Sequence, residues 1–395
     1  MIASPNLDSA PPLLGGADIL TFANDWTADP TSKHHVMKHF SRTNNVLWVE
    51  AAGMRAPQFS SAYDRSRLWL KAKKMFRHSR QVANRIHVLS PPAIPYPHLS
   101  VARLANAALY RYALWRETRH LGFSGSPLLC VFVPQIARYI RHIPRRFLIY
   151  YCVDKWSAFE GFNAAAMERA EAELCRTSDL VLASAEDLAE RCRQYSTNVH
   201  YIPHGVDHSH FARALHAGPI PGDLKDIPEP RVGFFGLIHE WVDTELIGQL
   251  ADALPFSFVI IGSAKGDVSA LERRKNVFIL GRRDYAVLPD YCRGFQAAIV
   301  PFRVNDLTAS VNPIKLREYA AAGLPVVSTA LPEVLKCANI ATAVSSFDDW
   351  KDALYHAVAR GNVASERHAQ SERVRGEDWS AVCGRIAQLV NQRSR

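Results

Sequence analysis

The sequence predicts an α/β protein built from two doubly wound domains that face each other across a central cleft. Short apolar runs of strand length alternate with segments of helix length over residues 19–202 and again over residues 231–328. Continuous apolar strands that alternate with helices are typical of parallel sheets covered on both faces. A segment rich in Gly and Pro, residues 218–230, separates the two series. We therefore expect ligands in the cleft, where the carboxyl ends of both sets of strands meet.

The elements follow in order along the chain. The first series predicts strands at 19–23, 46–50, 128–133, 148–153, 180–183 and 199–202, with helices at 33–40, 164–176 and 186–195. The second series predicts strands at 231–235, 256–261, 277–280, 297–301 and 325–328, with helices at 244–253, 313–322, 350–359 and 379–392. Both lists have the strand–helix alternation of parallel sheets.

Composition narrows the class of protein. The 395 residues are 48% hydrophobic and 22% charged, which is ordinary for a soluble enzyme and excludes a disordered or collagen-like chain. No run reaches the roughly 18 apolar residues of a membrane span, and the N-terminus lacks the layout of a signal peptide. Seven Cys without a CxxC pair favour a reducing compartment and argue against a zinc site. We expect a cytoplasmic protein.

Positive charge is concentrated in the first half of the chain. Residues 1–200 hold 25 basic and 16 acidic side chains, whereas residues 201–395 hold 22 of each. Within 51–150 the ratio is 17 to 2. Such asymmetry indicates an anionic partner, either nucleic acid or anionic lipid. No helix-turn-helix, RRM or zinc-finger pattern accompanies the charge, which disfavours nucleic acid.

The segment 65–86 favours lipid. With helical spacing, its apolar residues share one face and its basic residues lie opposite, flanked by aromatic rings. A basic amphipathic helix of this kind suits the surface of an acidic bilayer, although it is also compatible with a helix that packs on its own domain. The side chains predicted to face the membrane or the acceptor are Trp69, Lys71, Lys74 and Arg77.

The most informative motif is VNPIKLREYAAAG, residues 311–323. Asn312 is expected to cap a helix that starts at Pro313, and Gly323 to take the left-handed position after it. Lys315 then lies in the first turn, where a cation opposes the helix dipole unless an anion is bound there. A carboxylate one turn deeper, Glu318, is placed to accept hydrogen bonds from ribose hydroxyls. Alternatively, the two form only a weak surface pair.

Further candidates for the donor site lie in loops that directly follow predicted strands. Gly236 would allow backbone to approach a pyrophosphate closely, and residues 239–243 would line the mouth of the pocket or hold the turn. The loop 305–311, with Thr308, would bring N–H donors to the phosphates. Backbone groups at Arg282 and Arg283 would read the base while their side chains stay solvated. Together with Lys315, these parts predict a site for a nucleoside diphosphate.

In chain order, PHGVDHSHF, GFFGLIHEWVD, GRRDYAVLP and VNPIKLREYAAAGLPVVST resemble the donor-binding half of GT-B glycosyltransferases of the family 4-like group, which build bacterial exopolysaccharides and surface glycans. The resemblance implies two Rossmann-like domains, an acceptor domain over 1–205 and a donor domain over 206–375, with a helix over 376–395 that crosses back. It also implies that Lys315 binds the diphosphate and Glu318 the ribose. The stretch LIHEWVD lacks the Arg and Lys that many family members carry there, so phosphate neutralisation rests more on Lys315.

Asp154 is the best catalytic candidate in the first domain. It ends a predicted buried strand, so the fold would direct its carboxylate into the cleft, where burial raises its proton affinity. The run around it resembles one in the glucuronosyltransferase of xanthan synthesis, whose aspartate is the catalytic base. If Asp154 has a structural role instead, it is expected to cap the next helix. If the leaving phosphate takes the acceptor proton, Asp154 is expected to position the acceptor. Asp25 and His35 are expected at the same cleft, and His204 at the interdomain hinge.

The resemblance implies a hexosyl transfer from a nucleoside diphosphate sugar to a hydroxyl of a glycan acceptor, with a polyprenyl-linked acceptor at the inner face of the cytoplasmic membrane. No Asp-x-Asp triplet occurs, so we expect no metal and no other cofactor. Two alternatives stay open: a nucleotide-sugar epimerase on the same scaffold, and a non-catalytic nucleotide-sugar-binding subunit.

Overall fold

The computed structural model describes residues 14–51, 78–91 and 100–393. Within them lie two sheets, one in each half of the chain. The first has eight strands in the order β3-β4-β2-β1-β5-β6-β7-β8, and only the edge pair β3–β4 is antiparallel. Its strands are β1 (Asp18–Ala23), β2 (Asn45–Glu50), β3 (Arg80–Ala83), β4 (Ile86–Leu89), β5 (Leu128–Val131), β6 (Phe147–Cys152), β7 (Leu180–Ala183) and β8 (Val199–Tyr201).

The second sheet has six parallel strands in the order β11-β10-β9-β12-β13-β14. They are β9 (Arg231–Phe235), β10 (Ser257–Ile261), β11 (Val277–Gly281), β12 (Ala297–Val300), β13 (Val326–Thr329) and β14 (Ala341–Val344). The central strands are buried on both faces, as continuous apolar runs in a parallel sheet require. The predicted pair of doubly wound domains is confirmed.

Helices cover both faces of each sheet. In the first half they are α1 (Ser32–Phe40), α2 (Ser100–His120), α3 (Ala137–Ile140), α4 (Ala164–Thr177) and α5 (Glu186–Arg193). From the second half come α6 (His208–Phe211), α7 (Gly222–Lys225), α8 (Thr244–Ala253), α9 (Ser269–Glu272), α10 (Leu288–Arg293), α11 (Asp306–Ala309), α12 (Ile314–Ala321), α13 (Pro332–Leu335), α14 (Phe347–Gly361), α15 (Ala364–Glu372) and α16 (Trp379–Arg393). Gly323 has φ +76° after α12, as its position predicts.

The helix predicted over 65–86 is wrong in its last part. Residues Arg80–Ala83 form β3, and Ile86 begins β4. Arg85, with φ +55°, turns the chain between them, which a continuous helix would not allow. The predicted membrane-facing residues Trp69, Lys71, Lys74 and Arg77 lie outside the described residues.

The last helix packs on the first sheet rather than the second. Apolar side chains along α16, from Trp379 to Val390, belong to the same buried cluster as Val36 and Met37 of α1 and residues of β1, β2 and β5. The two segments that connect the halves lie side by side, because Val206 and Asp378 form a parallel bridge and Trp379 N–H donates to Val206 O at 3.1 Å.

Polar contacts also join the halves along the cleft. Glu333 on α13 is 2% exposed, and its carboxylate accepts from the Glu186 N–H of α5 at 2.8 Å and from the Tyr201 hydroxyl at 2.6 Å. Lys155 pairs with Asp306, and the Ser310 hydroxyl donates to Asp187. These contacts hold the carboxyl ends of the two sets of strands close together.

Candidate functional site

The first turn of α12 places a lysine and a buried carboxylate side by side. Lys315 Nζ lies 2.8 Å from Glu318 Oε2 and 4.9 Å from the centre of the Phe235 ring. The Glu318 side chain is only 1% exposed, so this is not a solvent-exposed surface pair. Its other oxygen, Oε1, is buried without a hydrogen-bond partner in the described part of the chain. The pair therefore offers a cation and a free acceptor at one place.

A glycine follows each of two adjacent strands beside this pair. Gly236, directly after β9, has φ +151°, and a Cβ added there would lie 3.6 Å from Lys315 Cε. Gly262, after β10, packs so closely that an added Cβ would lie 1.8 Å from Gly236 O. Gly262 is buried, whereas Gly236 is half-buried and lies beside Lys315, so the backbone next to this lysine is partly exposed at Gly236.

The start of α12 differs from its prediction. The N-cap is Pro313, not Asn312, and the helix begins at Ile314. The Asn312 side chain is instead used for tertiary contacts. Its amide donates to Ser184 O at 3.0 Å and to Glu333 at 3.3 Å, and its oxygen accepts from Arg317 at 2.9 Å. Asn312 therefore links α12 to the first domain.

Thr308, another predicted donor contact, is fully buried and completes the capping box of α11. Its hydroxyl donates to Arg303 O, and its backbone N–H donates to the Asn305 side chain. These bonds fix the loop 303–309 between β12 and α12. The structure gives the Thr308 hydroxyl a role in holding this loop.

The two arginines after β11 make separate ion pairs. Arg282 Nε lies 2.9 Å from Asp29 Oδ1 of the first domain. Arg283 Nη2 lies 2.7 Å from Asp223, and its Nε donates to the Tyr291 hydroxyl at 2.8 Å. Arg282 keeps 52% of its side chain exposed, as expected of a solvated side chain, and Arg283 keeps 32%, but each also has a carboxylate partner.

On the opposite side of the cleft, Asp154 follows β6 and is half-buried. Burial raises its pKa to about 6, and the nearby Lys33 cation partly offsets this rise. The Asp154 carboxylate does not cap a helix: the N-cap residue of the short 3-10 helix Trp156–Ala158 is Lys155, and that of α4 is Asn163. A half-buried carboxylate that ionises near neutral pH is suited to act as a general base.

Lys33 is a site residue that the sequence analysis missed. It lies in the first turn of α1, is 6% exposed, and has its Nζ 5.9 Å from the Trp156 ring. Burial lowers its pKa, and the Asp154 carboxylate acts in the opposite direction. The signal was the same as for Lys315, a lysine in the first turn of a helix that begins at the cleft.

His35 and Asp25 are placed differently from Asp154. His35 stacks on Trp379 at 5.1 Å with an interplanar angle of 3° and lies 5.6 Å from Tyr285. Burial lowers its pKa to about 3, so the ring is neutral at pH 7. Asp25 is exposed, and its carboxylate accepts from the Thr27 N–H at 2.8 Å. His35 therefore joins packed elements, and Asp25 orders the loop after β1.

His204 lies at the hinge. It is 8% exposed, its Nδ1 has no hydrogen-bond partner in the described residues, and burial lowers its pKa to about 3. It lines a cavity of about 480 Å³ between the connecting segments, together with Pro203, Arg317, Gly376, Glu377, Ala381 and Arg385.

Two features are absent from the described residues. No helix there is long and apolar enough to cross a membrane. No group of three or more His, Cys, Asp or Glu side chains that would hold a metal ion was found among the same residues.

Comparison with known proteins assigns the site region to a family model. Residues 229–360, which contain Gly236, Lys315 and Glu318, match the model described as glycosyl transferases group 1. Among curated proteins, TuaH of Bacillus subtilis strain 168, named as a glycosyltransferase of teichuronic acid biosynthesis, is 27% identical over 347 residues, covering 80% of this chain and 82% of TuaH.

Solved structures match nearly the whole chain. Sucrose-phosphate synthase from Thermosynechococcus elongatus gives a TM-score of 0.66 at 13% identity, over 95% of this chain and 98% of the other. Anabaena HepE with UDP-glucose gives 0.64 at 14%, over 95% and 100%. The UDP-forming α,α-trehalose-phosphate synthase from Burkholderia vietnamiensis gives 0.64 at 14%, over 96% and 98%. At these identities, the matches establish the shared two-domain fold.

Proposed function

We propose that this chain is a glycosyltransferase that transfers a sugar from a nucleoside diphosphate to a hydroxyl of a glycan acceptor. The match of residues 229–360 to the glycosyl transferases group 1 model and the shared two-domain fold support this proposal. The observation that carries the proposal is the pair formed by Lys315 and the buried Glu318 at the start of α12. The likeness to TuaH supports a role in the synthesis of a bacterial surface polysaccharide.

The donor half of the site follows from the chemistry of that pair. Lys315 has three N–H donors, so it can keep its contact with Glu318 and also bind the diphosphate. The first N–H groups of α12 add to the positive potential there. The unpartnered Oε1 of Glu318 is a suitable acceptor for a ribose hydroxyl. Charge-assisted contacts of this kind contribute about 1.5–3 kcal/mol each.

The acceptor half uses Asp154. Its carboxylate takes the proton of the acceptor hydroxyl while the acceptor oxygen forms a bond to the anomeric carbon. The bond from that carbon to the phosphate oxygen breaks, and the nucleoside diphosphate leaves with the electron pair. Lys315 stabilises the charge that develops on the leaving phosphate, so we propose that transfer requires no metal ion.

Nucleotide binding tests the donor half. Thermal shifts with UDP, GDP, ADP and dTDP should identify one preferred base, and Lys315→Ala should weaken that nucleotide about 10- to 100-fold. Lys336→Ala is the matched control, because Lys336 forms the same i,i+3 pair with a buried carboxylate, Glu333, at 2.8 Å. Equal affinity in Lys315→Ala and Lys336→Ala would contradict the proposal, and loss of transfer with EDTA, restored by Mn²⁺, would contradict metal independence.

We further propose a polyprenyl-linked acceptor and attachment to the inner face of the cytoplasmic membrane. One face of α2 supports the attachment, because it carries strongly exposed apolar side chains with arginine among them. Its exposed apolar residues are Val101, Leu104, Tyr112 and Trp115, and the Arg119 guanidinium lies 4.8 Å from the Trp115 ring. Aromatic and basic side chains on one helix face suit an anionic bilayer surface.

Liposome flotation tests the attachment. The protein should float with vesicles that contain phosphatidylglycerol and not with pure phosphatidylcholine, and Leu104→Ser with Trp115→Ser should reduce flotation. Leu335→Ser, which removes an exposed leucine on α13 of the other domain, is the control. Equal partitioning into both vesicle types would contradict the attachment while leaving the donor site unaffected.

A further inference from the structure

Five aromatic side chains form a cluster that spans the mouth of the cleft. Phe159 of the first domain lies 6.2 Å from Trp241 of the second, edge to face at 84°. Trp156 lies 5.6 Å from Phe159 and 6.2 Å from Phe162, and His239 stacks on Trp241 at 4.4 Å. We call Trp156, Phe159, Phe162, His239 and Trp241 the aromatic shelf.

The aromatic shelf is only partly covered. Trp156 is 6% exposed, and the other four rings are half-buried, so apolar faces remain accessible at the cleft. The buried Trp156 Nε1 has no hydrogen-bond partner in the described residues. Core aromatic rings are normally covered and their N–H groups paired, so this combination favours a ligand surface.

The location places the aromatic shelf beside the proposed base. Trp156 follows Asp154 by two residues, and the Lys33 ammonium lies 5.9 Å from its ring. Lys155, beside Trp156, pairs with Asp306, and the backbone N–H of Arg303 donates to Trp241 O at 2.9 Å. The segment 303–306 therefore contacts both loops that carry the shelf. The donor pair Lys315–Glu318 lies on a different element, α12, so the aromatic shelf is not needed for the nucleotide contacts described above.

The chemistry of the shelf discriminates between acceptor types. A pyranose ring has an apolar face of C–H groups, which packs on an aromatic ring, and a rim of hydroxyls, which need polar partners. Phe159 and Trp241 offer the apolar surfaces, while Asp154 and Lys33 lie beside the shelf as partners for the rim. A prenyl phosphate without a sugar has no such ring to pack on the shelf.

We propose that the aromatic shelf binds the terminal pyranose of the acceptor, so that the substrate is an already glycosylated carrier and not a bare prenyl phosphate. The proposal rests on the proposed function and specifies its acceptor. A preceding glycosyl transfer must then supply the substrate of this protein. The contact between Phe159 and Trp241 opens when the sugar enters, because the two rings close the same space from opposite domains.

Binding of small glycosides tests the proposal without knowledge of the full acceptor. Saturation-transfer NMR would be recorded with methyl pyranosides of glucose, galactose, N-acetylglucosamine and glucuronic acid, and with farnesyl phosphate, each in the presence of the preferred nucleotide. At least one pyranoside should receive saturation at its ring protons. Trp241→Ala and Phe159→Ala should weaken that pyranoside about threefold to tenfold, and Trp241→Phe should restore most of the affinity.

The control is Tyr355→Ala, because Tyr355 forms a similar edge-to-face pair with Phe256 at 5.2 Å on the outer side of the second domain. It should bind pyranosides as the unchanged protein does. Nucleotide affinity, measured on each variant, shows whether the variant is folded and tests the donor site independently. Failure of every pyranoside to bind, or equal binding to Trp241→Ala and Tyr355→Ala, would overturn the shelf; loss of nucleotide binding alone would overturn only the donor site.

Discussion

Two helices begin at the cleft, one from each domain, and both carry a lysine in the first turn. In α12 the lysine pairs within its own helix, because Glu318 lies one turn further along and 2.8 Å away. In α1, Lys33 has no carboxylate within ion-pair distance in the described residues. The carboxylate that raises its pKa is that of Asp154, which lies on another element. The charge of Lys315 is therefore compensated within its own helix, whereas the charge of Lys33 is compensated only by a residue from another element.

The two lysines differ in how far the sequence predicts their carboxylate neighbours. Lys315 and Glu318 lie three residues apart on one helix, so the sequence alone predicts that they are neighbours. The electrostatic coupling of Lys33 with Asp154 exists only because β6 ends, and α1 begins, at the same edge of the first sheet. Each helix thereby directs positive charge at the cleft, but only α12 brings a built-in carboxylate that can select a ribose.

The largest expected effect comes from removing the acid that faces α1. Asp154→Asn should lower the rate of transfer about 100- to 10,000-fold, because a general base contributes that range and the amide cannot accept the proton. Nucleotide affinity should remain within about twofold, since the donor contacts are on α12. Initial rates and nucleotide titrations of the same preparation measure both. A rate unchanged by the substitution would show that the leaving phosphate takes the acceptor proton.

The next effect tests the local balance in α12. Glu318→Gln should weaken the nucleotide about tenfold, because a charge-assisted contact to the ribose is lost. The same change should strengthen the binding of inorganic pyrophosphate, because Lys315 loses its counter-charge. Calorimetric titration of the nucleotide and of pyrophosphate measures the direction of both changes in affinity. If both ligands weaken together, Glu318 supports the fold of α12 and does not contact ribose.

Lys33→Met tests the balance across the fold. The Asp154 carboxylate must be ionised to act, so activity should rise through its pKa, about 6. Removing the Lys33 cation raises that pKa further, and the acidic limb of the pH–rate profile should move upward by about one pH unit. Lys38→Met, on the same helix, is the control. A limb that stays in place would show that Lys33 does not set the ionisation of Asp154.

The smallest effect concerns stability in acid. The pKa of His35 is about 3 in the folded chain and near 6.5 when unfolded, so its contribution to stability is present above pH 6.5 and declines as the pH falls toward 3. Between these two pKa values, each such histidine lowers the free energy of unfolding by about 1.4 kcal/mol for every pH unit of acidification. His35→Phe should keep the stacking on Trp379 and flatten the fall of the unfolding free energy between pH 6 and 5. Urea titrations should show no flattening for His356→Phe, on the exposed side of α14.

Much of the fold was predictable because the central strands are uninterrupted apolar runs, such as those at 148–153 and 297–301. Lys315 and Glu318 were predictable because their spacing puts both on one face of a single helix. Lys33 was not identified, because its partner is 121 positions away and is brought near only by the sheet order. The capping role of Asn312 was wrong because a buried tertiary network involving Ser184, Glu333 and Arg317 uses its amide instead.

The edge of the first sheet shows a second limit. Over residues 80–89 the apolar spacing fits a helix as well as two short strands, and periodicity alone cannot choose between them. The turn at Arg85 decides the local structure, and nothing in the apolar pattern marks it.

The return of α16 to the first sheet has a practical consequence for dissecting the molecule. Trp379, Val382, Cys383, Ile386 and Val390 fill the same core as α1. A cut near residue 205 would leave an amino-terminal fragment with an open apolar groove and a carboxy-terminal fragment with an uncovered apolar helix. Independent expression of the two halves therefore requires that residues 376–395 be grafted onto the amino-terminal fragment, or that both fragments be produced together.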